Sequence, residues 1–277
     1  MVWYEIGGQE SRHVQLNFAG REVTIKLVYY GPALSGKTTN LRALHELSSA
    51  ESHGRLMTLE TRDDRTLFFD MLPLVFRAGG VPRKPGERSY TPLDPSTGMS
   101  LRIKVFTVPG QVLHGATRRL VLQGADGVAF IADSQVSETE NNAASFLDLR
   151  SNLKELSVSV REMPMVIQFN KRDLPGIRSD EEIKLLASQG REPVFRAVAV
   201  NGDGVLETFF GLLKLTWSKL EAEHQLSRII GIEAHEFVAV AARKMGVKRD
   251  VSSLLGACLG GSLDFKSGDD GGGGERT

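Results

Sequence analysis

Gly31-Pro32-Ala33-Leu34-Ser35-Gly36-Lys37-Thr38 is a complete G-x-x-x-x-G-K-[ST] loop. Its flanks agree with it. Val23-Thr24-Ile25-Lys26-Leu27-Val28-Tyr29-Tyr30 alternates apolar and polar residues and then becomes wholly apolar, as a strand entering a buried sheet does. Thr38 to Leu47 carries Leu41, Leu44 and Leu47 at helical spacing. Strand, glycine loop and helix together aim backbone N–H groups and a helix N-terminus at a phosphate. In such a loop Lys37 reaches the β- and γ-phosphates and the Thr38 hydroxyl ligates Mg²⁺. A chance glycine-rich turn would not be flanked correctly on both sides.

Outward from the loop, strand-like and helix-like segments alternate from about Leu16 to about Leu220. Strands are expected at Val23–Tyr30, Leu101–Val108, Gly127–Ala132, Met165–Phe169 and Val194–Val200. Helices are expected at Thr38–Leu47, Glu138–Leu156, Ser179–Ser188 and Val205–Leu220. The third helix opens on Ser179-Asp180-Glu181-Glu182, a capping box ahead of Ile183. The fourth carries Leu206, Phe209, Phe210, Leu213 and Trp217, an aromatic stripe that reads as core. This alternation predicts an α/β fold: a mostly parallel central sheet with helices on both faces, binding its ligand at the carboxyl ends of the strands.

Two regions break the rhythm. Residues 77–100 hold four prolines and four glycines and are locally basic through Arg77, Arg83, Lys84 and Arg88. They read as a solvated, exposed insertion in preference to a partner-docking loop, and are longer than compact domains carry without purpose. Residues 226–246 read as a helix or a helix pair broken near Gly231. From Gly260 the chain turns glycine-rich, which predicts a disordered tail. The division expected is an N-terminal extension over 1–15, a nucleotide-binding domain over 16–222, a helical extension over 223–259 and the tail over 260–277.

Asn170-Lys171-Arg172-Asp173 follows the apolar strand and points to the base. A carboxylate at Asp173 accepts hydrogen bonds from guanine N1–H and its exocyclic amine. Adenine has no donor at N1 and would leave that carboxylate unpaired, which discriminates strongly. Asn170 ties this loop to the phosphate loop, and Lys171 packs along the base. Ala199 stands where a backbone N–H would meet guanine O6, although Val198-Ala199-Val200 lacks the usual serine and lysine. Thr107-Val108-Pro109-Gly110-Gln111 parallels the D-x-x-G-Q stretch of Ras-like proteins. There Gly110 offers its N–H to the γ-phosphate and Gln111 orients the attacking water. Threonine stands in place of the aspartate that supports Mg²⁺, a defect by generic rules.

The chain has 277 residues with 34 Lys+Arg against 34 Asp+Glu, so bulk charge suggests neither a nucleic-acid nor a membrane partner. Cys258, the one cysteine, excludes an intramolecular disulfide and fits a reducing compartment. Met1 to Gly20 lacks a signal-peptide pattern, and no lipid-anchor signal or bilayer-length apolar run is present. A cytoplasmic protein without a membrane anchor is expected.

Val28-Tyr29-Tyr30-Gly31-Pro32, Gly36-Lys37-Thr38-Thr39-Asn40-Leu41, Asp64-Arg65-Thr66-Leu67-Phe68-Phe69-Asp70, Leu72-Pro73, Thr107 to Gln111, Ala132-Asp133-Ser134-Gln135 and Asn170 to Pro175 together resemble the MglA family. Its members are bacterial Ras-like small GTPases that set cell polarity and control gliding or twitching motility. The likeness covers roughly residues 16–222 and makes Thr107 typical. It implies a Ras-like P-loop G domain that binds GTP and GDP with Mg²⁺. The nucleotide contacts implied are Gly31, Ala33, Leu34, Ser35, Gly36, Lys37, Thr38, Thr39, Thr66, Gly110, Asn170, Lys171, Asp173 and Ala199. Thr38 and Thr66 are the implied metal residues, with Asp70 acting indirectly through water. Arg65 resembles the family's intrinsic arginine finger, and Gln111 its catalytic glutamine. A roadblock-type, MglB-like activator, polarity or motility effectors and a polar position in the cell are further implications.

Three departures stand out. Ala33 replaces a glycine and crowds the hydrolysis site. The 77–100 insertion lies between the switches, near where the activator docks. The C-terminal extension has no counterpart in short members. Two readings follow: a GTP-hydrolysing switch, or a GTP-binding scaffold that hydrolyses little because of Ala33. An ATP-dependent kinase ignores Asp173.

Overall fold

The computed structural model describes residues 15–17, 22–60, 68–77, 81–82, 90–91, 100–109, 115–230, 232 and 235–263. Along these residues run β1 (Gln15–Asn17), β2 (Glu22–Tyr30), α1 (Lys37–Leu47), β3 (Met57–Glu60), β4 (Phe68–Arg77), β5 (Val81–Pro82), β6 (Tyr90–Thr91) and β7 (Ser100–Thr107). Then come α2 (Gly115–Leu122), β8 (Gly127–Asp133), α3 (Thr139–Glu155), β9 (Met165–Asn170), α4 (Asp180–Gln189) and β10 (Val194–Arg196). The chain closes with α5 (Val205–His224), α6 (Leu226–Ile230), α7 (Phe237–Lys244) and α8 (Val251–Gly256).

The main sheet runs β10-β9-β8-β2-β7-β4-β3, with β1 antiparallel to the start of β2. From β10 to β7 every pairing is parallel. β8 lies between β9 and β2 and is buried along its whole length, which is why it reads as an unbroken apolar run. Helices cover both faces. Leu41 and Leu44 of α1 share one core with the apolar face of α5. On the other face Leu122 of α2, Leu149 of α3 and Ile183 of α4 pack over β8 and β9. The capping box at Ser179 is present, its hydroxyl accepting the Glu182 N–H while the Glu182 carboxylate accepts the Ser179 N–H.

The structure adds elements that the pattern did not suggest. β4 is antiparallel to β7, and β3 is antiparallel to β4. Leu72 and Leu74 are buried while their neighbours are half-buried, a strand's period of two. Pro73 disguised it, because proline argues against a paired strand. Val75 N–H donates outward to Ser52 O and Gly54 N–H to Pro73 O, so residues 73 and 75 point their backbone polar groups away from β7. The missing N–H of Pro73 therefore costs the β7 ladder nothing. The expected strand Val194–Val200 stops at Arg196, and a 3₁₀ turn follows at Ala199–Asn201. α2 was missed as well. Within 77–100, Arg77 pairs with Ser100, and β5 pairs with β6 through Val81↔Thr91 and Pro82↔Tyr90. The insertion expected as an exposed loop thus springs from a hairpin and holds a short ladder; residues 78–80, 83–89 and 92–99 lie outside the described residues.

α5 is buried on nearly every side from Val205 to Trp217. A helix apolar all round needs a second cover, and the residues beyond His224 supply it. Trp217 stacks on Phe237 with centroids 3.6 Å apart and planes 4° apart. Val238, Ala241, Met245 and Leu254 join the same core. Arg249 pairs with the Glu207 carboxylate at 2.5 Å. Leu259 N–H donates to Val194 O (2.8 Å) and Val194 N–H to Gly260 O, which covers the exposed edge of β10. Of the residues expected in the tail, Gly260 and Gly261 lie against Val194, Ala187 and Pro193, and Leu263 packs against the core beside Gly211; residues 264–277 lie outside the described ones. Among the described residues no helix is long and apolar enough to cross a membrane.

Candidate nucleotide site

β2 ends at Tyr30 and α1 begins at Lys37, so residues 31–36 turn over the carboxyl end of the central strand. Two glycines make the turn possible. Gly31 has φ 147°, and a Cβ there would lie 2.2 Å from Ile131 O. Gly36 has φ 96°, and a Cβ would meet Asn170 Nδ2 at 2.1 Å. Leu34 also takes a positive φ (61°), with its side chain 88 % exposed. Ala33 is exposed beside it.

Lys37 lies buried under this loop, donating to Gly31 O at 2.9 Å and Pro32 O at 2.6 Å. Burial, helped by the nearby Arg118 guanidinium, lowers its pKa to about 8. An incoming phosphate restores the charge, so above pH 8 anion binding must take up a proton. Nucleotide affinity is expected to be level from pH 7 to 7.5 and to fall toward pH 9, by at most about tenfold per unit. Lys37→Arg holds its charge throughout and should flatten the profile in a fluorescent-GDP titration. A wild-type profile as flat as the arginine variant's would refute the link.

One carboxamide bonds the base-side loop directly to the phosphate loop. Asn170 Nδ2 donates to Ser35 O (2.9 Å), and Asn170 Oδ1 accepts the Ala199 N–H (3.0 Å). The Ala199 N–H, expected to face guanine O6, is therefore engaged by Asn170. Lys171 takes a positive φ of 64° and pairs with the buried Asp133 carboxylate at 2.7 Å. Arg172 N–H donates to Ala197 O, which holds the two base-side segments together. Asp173 stands exposed at the rim, in no hydrogen bond or ion pair among the described residues.

Thr38 Oγ1 donates to Asp70 Oδ2 at 2.6 Å. The Thr107 hydroxyl accepts the Asp70 N–H at 2.9 Å and lies 3.4 Å from Asp70 Oδ2. Asp70 is one step beyond the Met71–Phe106 pair of the β4–β7 ladder. The antiparallel strand therefore returns a carboxylate to the place where Thr107 withholds one. Three hard oxygen donors suit Mg²⁺, which keeps waters and phosphate oxygens as its other ligands. No cluster of three or more His, Cys, Asp or Glu is found among the described residues.

Arg65, Thr66, Gly110 and Gln111 lie outside the described residues. Sequence reasoning assigned no role to Asp133 or to Asn40 and Gln168, which meet beneath the site. The available signal was a glutamine inside an otherwise apolar strand.

A mostly parallel sheet with β2 leading into this loop, α1 starting at Lys37 and Asn-Lys-Arg-Asp closing β9 defines a Ras-like P-loop G domain. The chain is 41 % identical over 206 residues to the mutual gliding-motility protein MglA of Myxococcus xanthus (strain DK1622), covering 74 % of this chain and 97 % of that protein. The chain belongs to the MglA family of small GTPases. No protein-family profile matches it.

Proposed function

We propose that this protein is a Mg²⁺-dependent switch that binds GTP and GDP, hydrolyses GTP and acts in cell polarity or gliding motility. The observation that carries this reading is the Asn170 carboxamide. It joins the Ser35 carbonyl to the Ala199 N–H, which supports a base loop carrying Asp173 held to the loop that carries Lys37 and Thr38. Lys37 leaves its two loop carbonyls to meet the β- and γ-phosphates. Thr38 and Thr66 would hold the metal, with Asp70 acting indirectly through water, and the ion would supply charge neutralisation at the phosphate oxygens. Gln111 orients water, Gly110 donates to the γ-phosphate, and Arg65 meets the charge that develops in the transition state. Gly31, Ala33, Leu34, Ser35, Gly36 and Thr39 shape the phosphate cradle. The γ-phosphate orders both switches, and hydrolysis releases them. A roadblock-fold activator resembling MglB is the partner that fits this cycle, in the cytoplasm and concentrated at a pole. Residues 16–222 form the nucleotide-binding unit, with the helices after 222 serving as its buttress.

The exposed methyl of Ala33 favours a second reading, a GTP-loaded scaffold with little hydrolysis. Single-turnover hydrolysis of wild type and Ala33→Gly, each with Mg²⁺ or EDTA and with or without the activator, separates the two. A switch hydrolyses GTP only with Mg²⁺. A scaffold is slow as wild type and gains about 10²-fold in the glycine variant, the size of one misplaced catalytic group. GTP binding displaced equally well by ATP would defeat both readings.

A further inference from the structure

We propose that Asn40 and Gln168 are positioning residues that hold the phosphate loop and the base loop at a fixed spacing; this rests on the guanine-nucleotide reading above. Both side chains are fully buried, one on α1 and the other on β9. Their amides pair reciprocally: Asn40 Nδ2 donates to Gln168 Oε1 at 2.9 Å, and Gln168 Nε2 donates to Asn40 Oδ1 at 2.9 Å. Each amide nitrogen spends its second hydrogen on an element of the site. Asn40 Nδ2 donates to Gly36 O (3.0 Å) at the end of the phosphate loop. Gln168 Nε2 donates to Thr208 Oγ1 (2.8 Å), whose hydroxyl donates to Gly204 O (2.7 Å) at the end of the 199–204 turn. Gln168 itself is two residues before Asn170.

All four amide hydrogens are therefore used: the tie bonds the end of the phosphate loop and, through Thr208, the end of the 199–204 turn, and it sits on the strand that leads into the base loop. Paired buried amides add little net stability over an apolar pair of similar volume. What they add is direction, because a satisfied network admits one arrangement and an apolar pair admits several. Affinity for a nucleotide held at both ends depends on that spacing, since the second contact is made at a concentration set by the link between the two half-sites.

The test uses the full chain and measures GDP affinity with and without Asp173→Asn, in wild type and in Asn40→Leu/Gln168→Met. Single Gln168→Met strands the Asn40 donors and should lower Tm, whereas the double apolar variant should recover it. If the tie aligns the base loop, the Asp173→Asn penalty shrinks about tenfold in the double variant, a coupling expected of connected residues. The swap Asn40→Gln/Gln168→Asn keeps both amides and should restore the penalty. Thr208→Val loosens the same tie isosterically and should shrink the penalty about threefold. An undiminished penalty in the folded double variant, or in Thr208→Val should the double not fold, overturns the proposal and leaves the pair a purely structural feature. If wild type shows no preference for GDP over ADP and Asp173→Asn costs nothing, the guanine reading falls and the tie falls with it.

Discussion

Asp173→Asn is expected to weaken GDP binding by about 10³-fold and to transfer the preference to xanthosine diphosphate. The wild-type carboxylate presents two acceptors to two adjacent donors, guanine N1–H and the 2-amino group. Asparagine presents one acceptor and one donor, so its amide nitrogen opposes the 2-amino group. Xanthine carries a carbonyl at that carbon and keeps N1–H, which matches the amide. Asp173 is exposed and free of internal partners among the described residues, so the exchange should leave the fold unchanged. Competition of both diphosphates against a fluorescent nucleotide reads the result. Undiminished GDP affinity in the variant would remove Asp173 from the site.

Arg65→Ala is expected to lower the hydrolysis rate by about 10³- to 10⁵-fold, the range for an arginine finger. Gln111→Ala should cost about 10²- to 10³-fold, comparable with loss of one group preorganised for the transition state. GTP affinity should change little in either, because both groups act on charge and water that exist only in the transition state. The double variant should cost less than the product of the singles, since the two residues serve one event. Single-turnover hydrolysis with activator present decides it. Rates that equal wild type in both variants would return Arg65 to a surface salt bridge and Gln111 to an ordinary loop residue.

The legible part of this protein is what repeats or clusters along the chain. The phosphate loop, the guanine motif and the α/β alternation all appear within short windows, and Gly31 and Gly36 stand where a positive φ requires them. The capping box at Ser179 was equally local. Legibility failed where a local signal opposed the tertiary outcome. Pro73 hid β4, although its N faces away from β7 and costs nothing there. The Val194–Val200 run looked like one strand, but Ala199 N–H turns away to Asn170 Oδ1. Thr107 looked like a lost carboxylate until strand register brought Asp70 to it.

The sequence by itself determined the class: a phosphate-loop motif, an Asn-Lys-x-Asp motif after a strand and a domain of alternating strands and helices. Such features are encoded in neighbouring residues through backbone preference and burial period, so they survive without a structure. Only the tertiary structure decided that Asp70 meets Thr38 across 32 residues, and that Asn40 meets Gln168 across 128. It also decided that the helices beyond His224 close over α5 and the edge of β10. These meetings depend on strand order, register and which helix face the core demands. Those are properties of the whole packed chain, and no window of sequence contains them.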